Sequence, residues 1–139
     1  MSDETISSIC VLQNALLAAR LSRKIGLRLS AHGISFTEYL VMHYLNNAPQ
    51  KAVPRIELAE HLSMSASGIT RLLAPMEKNH IVEKVANARD ARQSLVMLSA
   101  TGQQLFADAS VSFAYSATDL LSGLSNSQQE RLVELVAKI

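Results

Sequence analysis

The chain predicts a mainly helical domain interrupted once by a short β-ribbon. Three observations lead there. Hydrophobic residues make up 48% of the 139-residue chain but aromatic residues only 4%, with no Trp. The core must therefore be built from Leu, Ile, Val, Ala and Met, a palette that suits helices. Apolar residues recur at i, i+4 spacing, as in Leu17, Leu21, Ile25 and Leu29, which is the stripe of an amphipathic helix. One window departs from that period: Ile81–Val85 and Ser94–Leu98 read as strands around a polar turn at Ala86–Gln93.

Taken in order, a Pro-free helical pattern runs from about Thr5 to Ser30, and Ala31-His32-Gly33 breaks it. Arg20, Lys24 and Arg28, with Arg23 beside them, form a basic flank. Ser35-Phe36-Thr37-Glu38 has the spacing of a capping box and opens a helix to about Asn46. Its residues Tyr39, Leu40, Met42, Tyr44 and Leu45 are expected to face mostly inward. Asn46-Asn47-Ala48-Pro49 reads as a loop, and Pro54 suits the first turn of a short helix through Leu62. After a tight Ser63-Met64-Ser65 connection, Ser65 caps a helix to about Asn79 with Ile69, Leu72, Leu73 and Met76 on its buried face. Pro75 inside that helix removes a backbone bond and is expected to bend it. Ser99 caps a helix to about Leu121, and Ser125-Asn126-Ser127-Gln128 opens a last one to the C-terminus.

Charge and motif content exclude several function classes. The net charge is only +1, less than a sequence-independent architectural DNA-binding protein should carry. Its distribution is uneven: no acid lies between Glu4 and Glu38, whereas the segment after Gly102 holds Asp108, Asp119, Glu130 and Glu134 against Arg131 and Lys138. Such a polarised chain can still present a local basic surface. The aromatic content is too low for stacking platforms on single strands. One Cys rules out an internal disulfide, and His32, His43, His61 and His80 show no paired metal spacing. The five Gly are scattered, and no nucleophile elbow, zinc-protease motif or phosphate loop occurs. No catalytic residue, metal or cofactor is expected. The N-terminus lacks a signal-peptide pattern and no apolar run is long enough to span a bilayer, so a cytoplasmic location without membrane contact is expected.

Helix, short turn, helix and ribbon in succession are the parts of a winged helix-turn-helix. The second helix opens with small polar residues, Ser65, Ala66, Ser67 and Gly68, which is what entry into a DNA major groove requires. Hydroxyls and free N–H groups at a helix N-terminus meet phosphates. Thr70 and Arg71 lie one turn further in, within reach of base edges, and Lys78 follows on the same side. The ribbon's turn, Arg89-Asp90-Ala91-Arg92, puts two arginines at a protruding tip suited to a minor groove or to phosphates. Asp90 between them can orient an arginine by a bidentate pair. The bland alternatives are an exposed polar helix face and a solvated loop. A winged-helix module that docks on protein would instead expose apolar residues on the second helix.

These stretches resemble the MarR family of bacterial regulators. The resemblance is carried by Phe36-Thr37-Glu38-Tyr39, Glu57-Leu58-Ala59-Glu60-His61-Leu62, Ser65-Ala66-Ser67-Gly68-Ile69-Thr70-Arg71-Leu72-Leu73, Met76-Glu77-Lys78-Asn79, Ile81-Val82, Arg89-Asp90-Ala91-Arg92 and Leu98-Ser99-Ala100-Thr101-Gly102. It implies an N-terminal dimerisation helix over 1–34, a DNA-binding lobe with a two-stranded wing over 35–98, and C-terminal dimerisation helices over 99–139. It also implies a homodimer on a pseudo-palindromic double-stranded operator, with repression the expected sign. A crevice near Tyr39, Met42 and His43 is expected to take a small aromatic or anionic effector. Cys10 sits where one branch of the family senses peroxide, but its neighbours Ile9, Val11 and Leu12 suggest packing. His80 departs from the pattern, since the family usually has Gly there to take a left-handed conformation.

Overall fold

The computed structural model of the chain describes residues 3–139. Helix α1 (Ile6–Leu29) leads through a 3-10 turn (Ser30–His32) to α2 (Phe36–Asn47). Strand β1 (Ala52–Pro54), α3 (Arg55–His61), α4 (Ala66–Lys78), β2 (Val82–Ala86) and β3 (Ser94–Leu98) follow, and α5 (Ala100–Leu120) and α6 (Asn126–Val136) close the chain.

Local chemistry sets the helix starts. Thr5, Ser35, Ser65, Ser99 and Ser125 each accept a hydrogen bond from the backbone N–H three residues on, which satisfies a donor that the helix itself leaves orphaned. Both predicted capping boxes form, with Glu38 and Gln128 reaching back to the cap N–H. α4 continues as a helix through Pro75.

The ribbon is larger than the sequence suggests. β1 adds to its edge, giving an antiparallel three-stranded sheet in the order β1-β3-β2, with Val53 opposite Val96 and Lys84 opposite Val96 on the other side. The expected two-stranded wing is corrected accordingly. A three-residue edge strand has no alternation to read, and its pairing is non-local. Pro54 ends that strand and precedes α3 as its N-cap rather than lying inside it; a proline at an edge forfeits no ladder bond. β2 begins one residue later than expected; the Ile81 N–H is held by the Met76 carbonyl at the end of α4 (2.9 Å).

The core lies between α2, α3, α4, the sheet and the start of α5. Leu29, Met42, Leu45, Leu58, Ile69, Leu73, Met76, Val41 and Val96 are its fully buried side chains. α1 contributes only Ile25 and Leu29 as buried residues, and α6 contributes none. Where α5 leaves the sheet, Ser99 Oγ donates to the His80 carbonyl (2.5 Å) and accepts from Gly102 N–H (2.9 Å). A Cβ on Gly102 would lie 2.0 Å from the Ile81 carbonyl oxygen. That close approach docks α5 against the segment following α4, and it requires glycine.

Candidate nucleic-acid interface

α3 and α4 are joined by four residues, Leu62 to Ser65. Ser63 takes a left-handed conformation (φ 53°), and the Met64 N–H returns to the Ala59 carbonyl (2.9 Å). The turn lets α4 pack Ile69, Leu73 and Met76 inward. Ser67, Thr70, Arg71, Ala74 and Lys78 are left exposed on the outer side.

At the outer end of α4, Ser65 Oγ accepts from Gly68 N–H at 3.0 Å and lies 3.3 Å from Ser67 Oγ. A Cβ on Gly68 would sit 3.1 Å from Ser65 Oγ, so glycine keeps this end narrow. Thr70 Oγ1 donates to the Ala66 carbonyl (3.0 Å), which fixes its hydroxyl on the helix. Arg71 and Lys78 make no ion pair among the described residues. The one acid of α4, Glu77, is half-buried and engaged by Arg55 of α3 (2.5 Å) and Lys84 of β2 (3.8 Å). The outer face of α4 is thereby left with small, hydroxyl and cationic groups only.

The wing tip is ordered by its own polar side chains. Asn87 Oδ1 accepts from Arg89 N–H (2.9 Å), and Asn87 Nδ2 donates to Gln93 Oε1 (3.0 Å). Asp90 Oδ1 accepts from Arg92 N–H (3.0 Å). The expected Asp90–arginine ion pair does not form; Asp90 instead closes a local turn on the backbone, the usual habit of Asp in loops. Arg89 and Arg92 are exposed.

The other expected site residues are scattered. Met42 has no exposed surface, Tyr39 is 3% exposed, and His43 is exposed. Tyr39 packs its ring on Phe106 and Phe113 (5.3 and 4.7 Å) and bonds Ser110 Oγ (3.1 Å). A ligand would reach Tyr39 and Met42 only by opening this packing. Cys10 is exposed on α1 rather than packed. Of the basic flank, Arg28 lies 3.7 Å from Asp119 of α5 with both side chains exposed, while Arg20, Arg23 and Lys24 make no ion pair among the described residues. His80 takes the left-handed conformation expected of its position (φ 58°).

Sequence reasoning missed Arg55, Glu77 and Lys84 as a group, because their contacts cross three elements. It also missed Tyr44, whose hydroxyl donates to Glu57 (2.9 Å) and whose ring stacks on His61 (4.1 Å), tying α2 to α3. The hydrogen bond to Glu57, aided by desolvation and by the charges of Glu57 and Glu60, raises the Tyr44 pKa above the ordinary phenol value.

A short-turn helix pair with a β-ribbon beside it, and a cationic outer face on the second helix, define a winged helix-turn-helix protein. The model of the MarR family matches residues 32–93 of the chain. The fold extends over the whole chain. AbsC, a MarR family transcriptional regulator from Streptomyces coelicolor, superposes with a TM-score of 0.83 at 17% identity, covering 98% of this chain and 93% of that one. A second S. coelicolor MarR family regulator, in complex with DNA, gives 0.82 at 21% identity over 98% and 89% of the two chains. A mutant E. coli MarR complexed with operator DNA gives 0.81 at 20% identity over 97% and 98%.

Proposed function

We propose that this protein is a DNA-binding transcription regulator that acts as a homodimer on a pseudo-palindromic operator. One observation carries the reading: α4 turns its only acid inward and offers Ser67, Thr70, Arg71 and Lys78 outward beside a self-ordered wing with two exposed arginines. Ser65, Ser67 and Gly68 approach phosphates, Thr70 and Arg71 meet base edges, and Lys78, Arg89 and Arg92 contact backbone or minor groove. The DNA complexes of the two similar proteins support the same use of the fold. Residues 35–98 form the reading lobe, with 1–34 and 99–139 as the dimerising parts.

The dimer is supported by apolar surface that the single chain leaves uncovered: Val11 is 70% exposed and Leu16 61% on α1, and Val133 is 70% exposed on α6. Repression is the sign of regulation we assign, since a dimer on an operator blocks access to it. Release by a small aromatic or anionic molecule is supported by an open, mostly apolar groove of about 490 Å³ along α5, lined by Ser110, Val111, Ala114, Tyr115 and Thr118, beside the Tyr39–Ser110 bond. The reading involves no catalysed reaction, and no helix among the described residues is long and apolar enough to cross a membrane. A cytoplasmic site of action follows from the role.

The test is selection of duplexes from a random-sequence pool by the purified protein. The reading expects enrichment of one inverted-repeat sequence, with half-sites about one helical turn apart. No enrichment over many rounds at low salt would overturn it.

A further inference from the structure

We infer that Glu77 is a positioning residue that fixes the recognition helix α4 to both α3 and the wing, with Arg55 and Lys84 as its partners. The inference rests on the DNA-binding reading above and adds to it residues that do not themselves read DNA. Each carboxylate oxygen has its own partner: Oε1 meets Arg55 Nη2 at 2.5 Å and Oε2 lies 3.8 Å from Lys84 Nζ. Arg55 is the first residue of α3 and Lys84 the middle residue of β2. One side chain thus joins three elements of the DNA-reading lobe.

The apolar contacts of Ile69, Leu73 and Met76 hold α4 against the core, but such contacts have little directional preference. A carboxylate held by two cations from different elements does have one. It resists rotation of α4 about its own axis, the motion that would carry Arg71 off a base edge. It also ties the wing strand to the helix, so that groove and wing contacts are made in one register. Arg55 and Glu77 are both half-buried, which limits screening of their pair, whereas Lys84 is more exposed.

Simple electrostatics gives the opposite expectation: loss of a negative charge near DNA should tighten binding. The sign of the effect therefore separates the two. The probe is the labelled duplex recovered from the random pool. Glu77→Gln, which keeps the shape, is expected to bind it about tenfold more weakly while remaining folded by circular dichroism. A double-mutant cycle with Arg92→Ala supplies a readout that a merely structural role would leave additive. Arg92→Ala should weaken wild-type binding about tenfold but cost only about threefold when Glu77→Gln is already present, because the wing is then no longer held in register. Lys84→Met, at an exposed position, breaks only the wing link and should show the same non-additivity; it decides the matter if Glu77→Gln does not fold. Unchanged or tighter binding by folded Glu77→Gln, or additive cycles with both variants, would overturn the inference while leaving the DNA-binding reading intact. Failure of the wild-type protein to select any duplex would overturn both.

Discussion

At the scale of single residues, two backbone positions show what local sequence can and cannot disclose. His80 ends the recognition helix at φ 58°, where a side chain costs about 1–2 kcal/mol relative to a right-handed residue. Glycine escapes that cost but loses about 0.4–1 kcal/mol through the unfolded chain. His80→Gly is therefore expected to stabilise the protein by about 0.5–1 kcal/mol, read as a higher urea midpoint at unchanged slope. The position was legible, because a helix stop is local. Gly102 was legible only as part of a motif. Its reason, the Ile81 carbonyl against the place a Cβ would occupy, depends on how α5 returns to the end of α4. Gly102→Ala should destabilise the fold by about 1–3 kcal/mol or displace α5, seen as a lower urea midpoint; an unchanged midpoint would mean that α5 does not dock there as closely.

At the scale of elements, the helices were readable because their caps are. Ser35, Ser65, Ser99 and Ser125 announce the starts of α2, α4, α5 and α6 within four residues; the structure adds Thr5 for α1, and α3 follows Pro54 with no side-chain cap. β1 was not readable, since its identity lies in pairing with β3 far along the chain. The wing was placed correctly but its internal wiring was not: Asp90 serves the Arg92 backbone and not a guanidinium. The consequence for Asp90→Ala is nonetheless sharp. If the turn holds the wing in shape, losing Asp90 should weaken binding to operator and to random duplex alike, even though a negative charge has been removed. Affinities measured at two salt concentrations separate the cases, since tighter binding at both would reduce Asp90 to a simple repulsive charge.

On the scale of the whole molecule, the lobe and the helices flanking it differ in how complete they are. The lobe's core is closed with the end of α1 and the first half of α5, whereas the outer half of α1 and all of α6 leave apolar side chains in the open. Single-domain sequence patterns cannot reveal this, because an amphipathic stripe reads the same whether its cover comes from the same chain or another. Sedimentation at micromolar concentration and moderate salt is expected to give twice the 15.1 kDa chain mass. A stable monomer that still binds DNA would contradict the proposed assembly. The residues proposed to read DNA were legible for a different reason: their chemistry is local to α4 and the wing tip. The Glu77 network was invisible because it spans α3, α4 and β2.

The central claim is that the outer face of α4 reads sequence, and Arg71 tests it most directly. Its side chain is exposed and makes no ion pair among the described residues, so removing it disturbs little else. The measurement is the affinity of wild-type protein and Arg71→Ala for the selected duplex and for a scrambled duplex of equal length, at one salt concentration. Loss of a bidentate contact to one base should cost about 1–3 kcal/mol on the selected duplex and much less on the scrambled one, narrowing the ratio between them. An equal loss on both duplexes, or none on either, would contradict the claim.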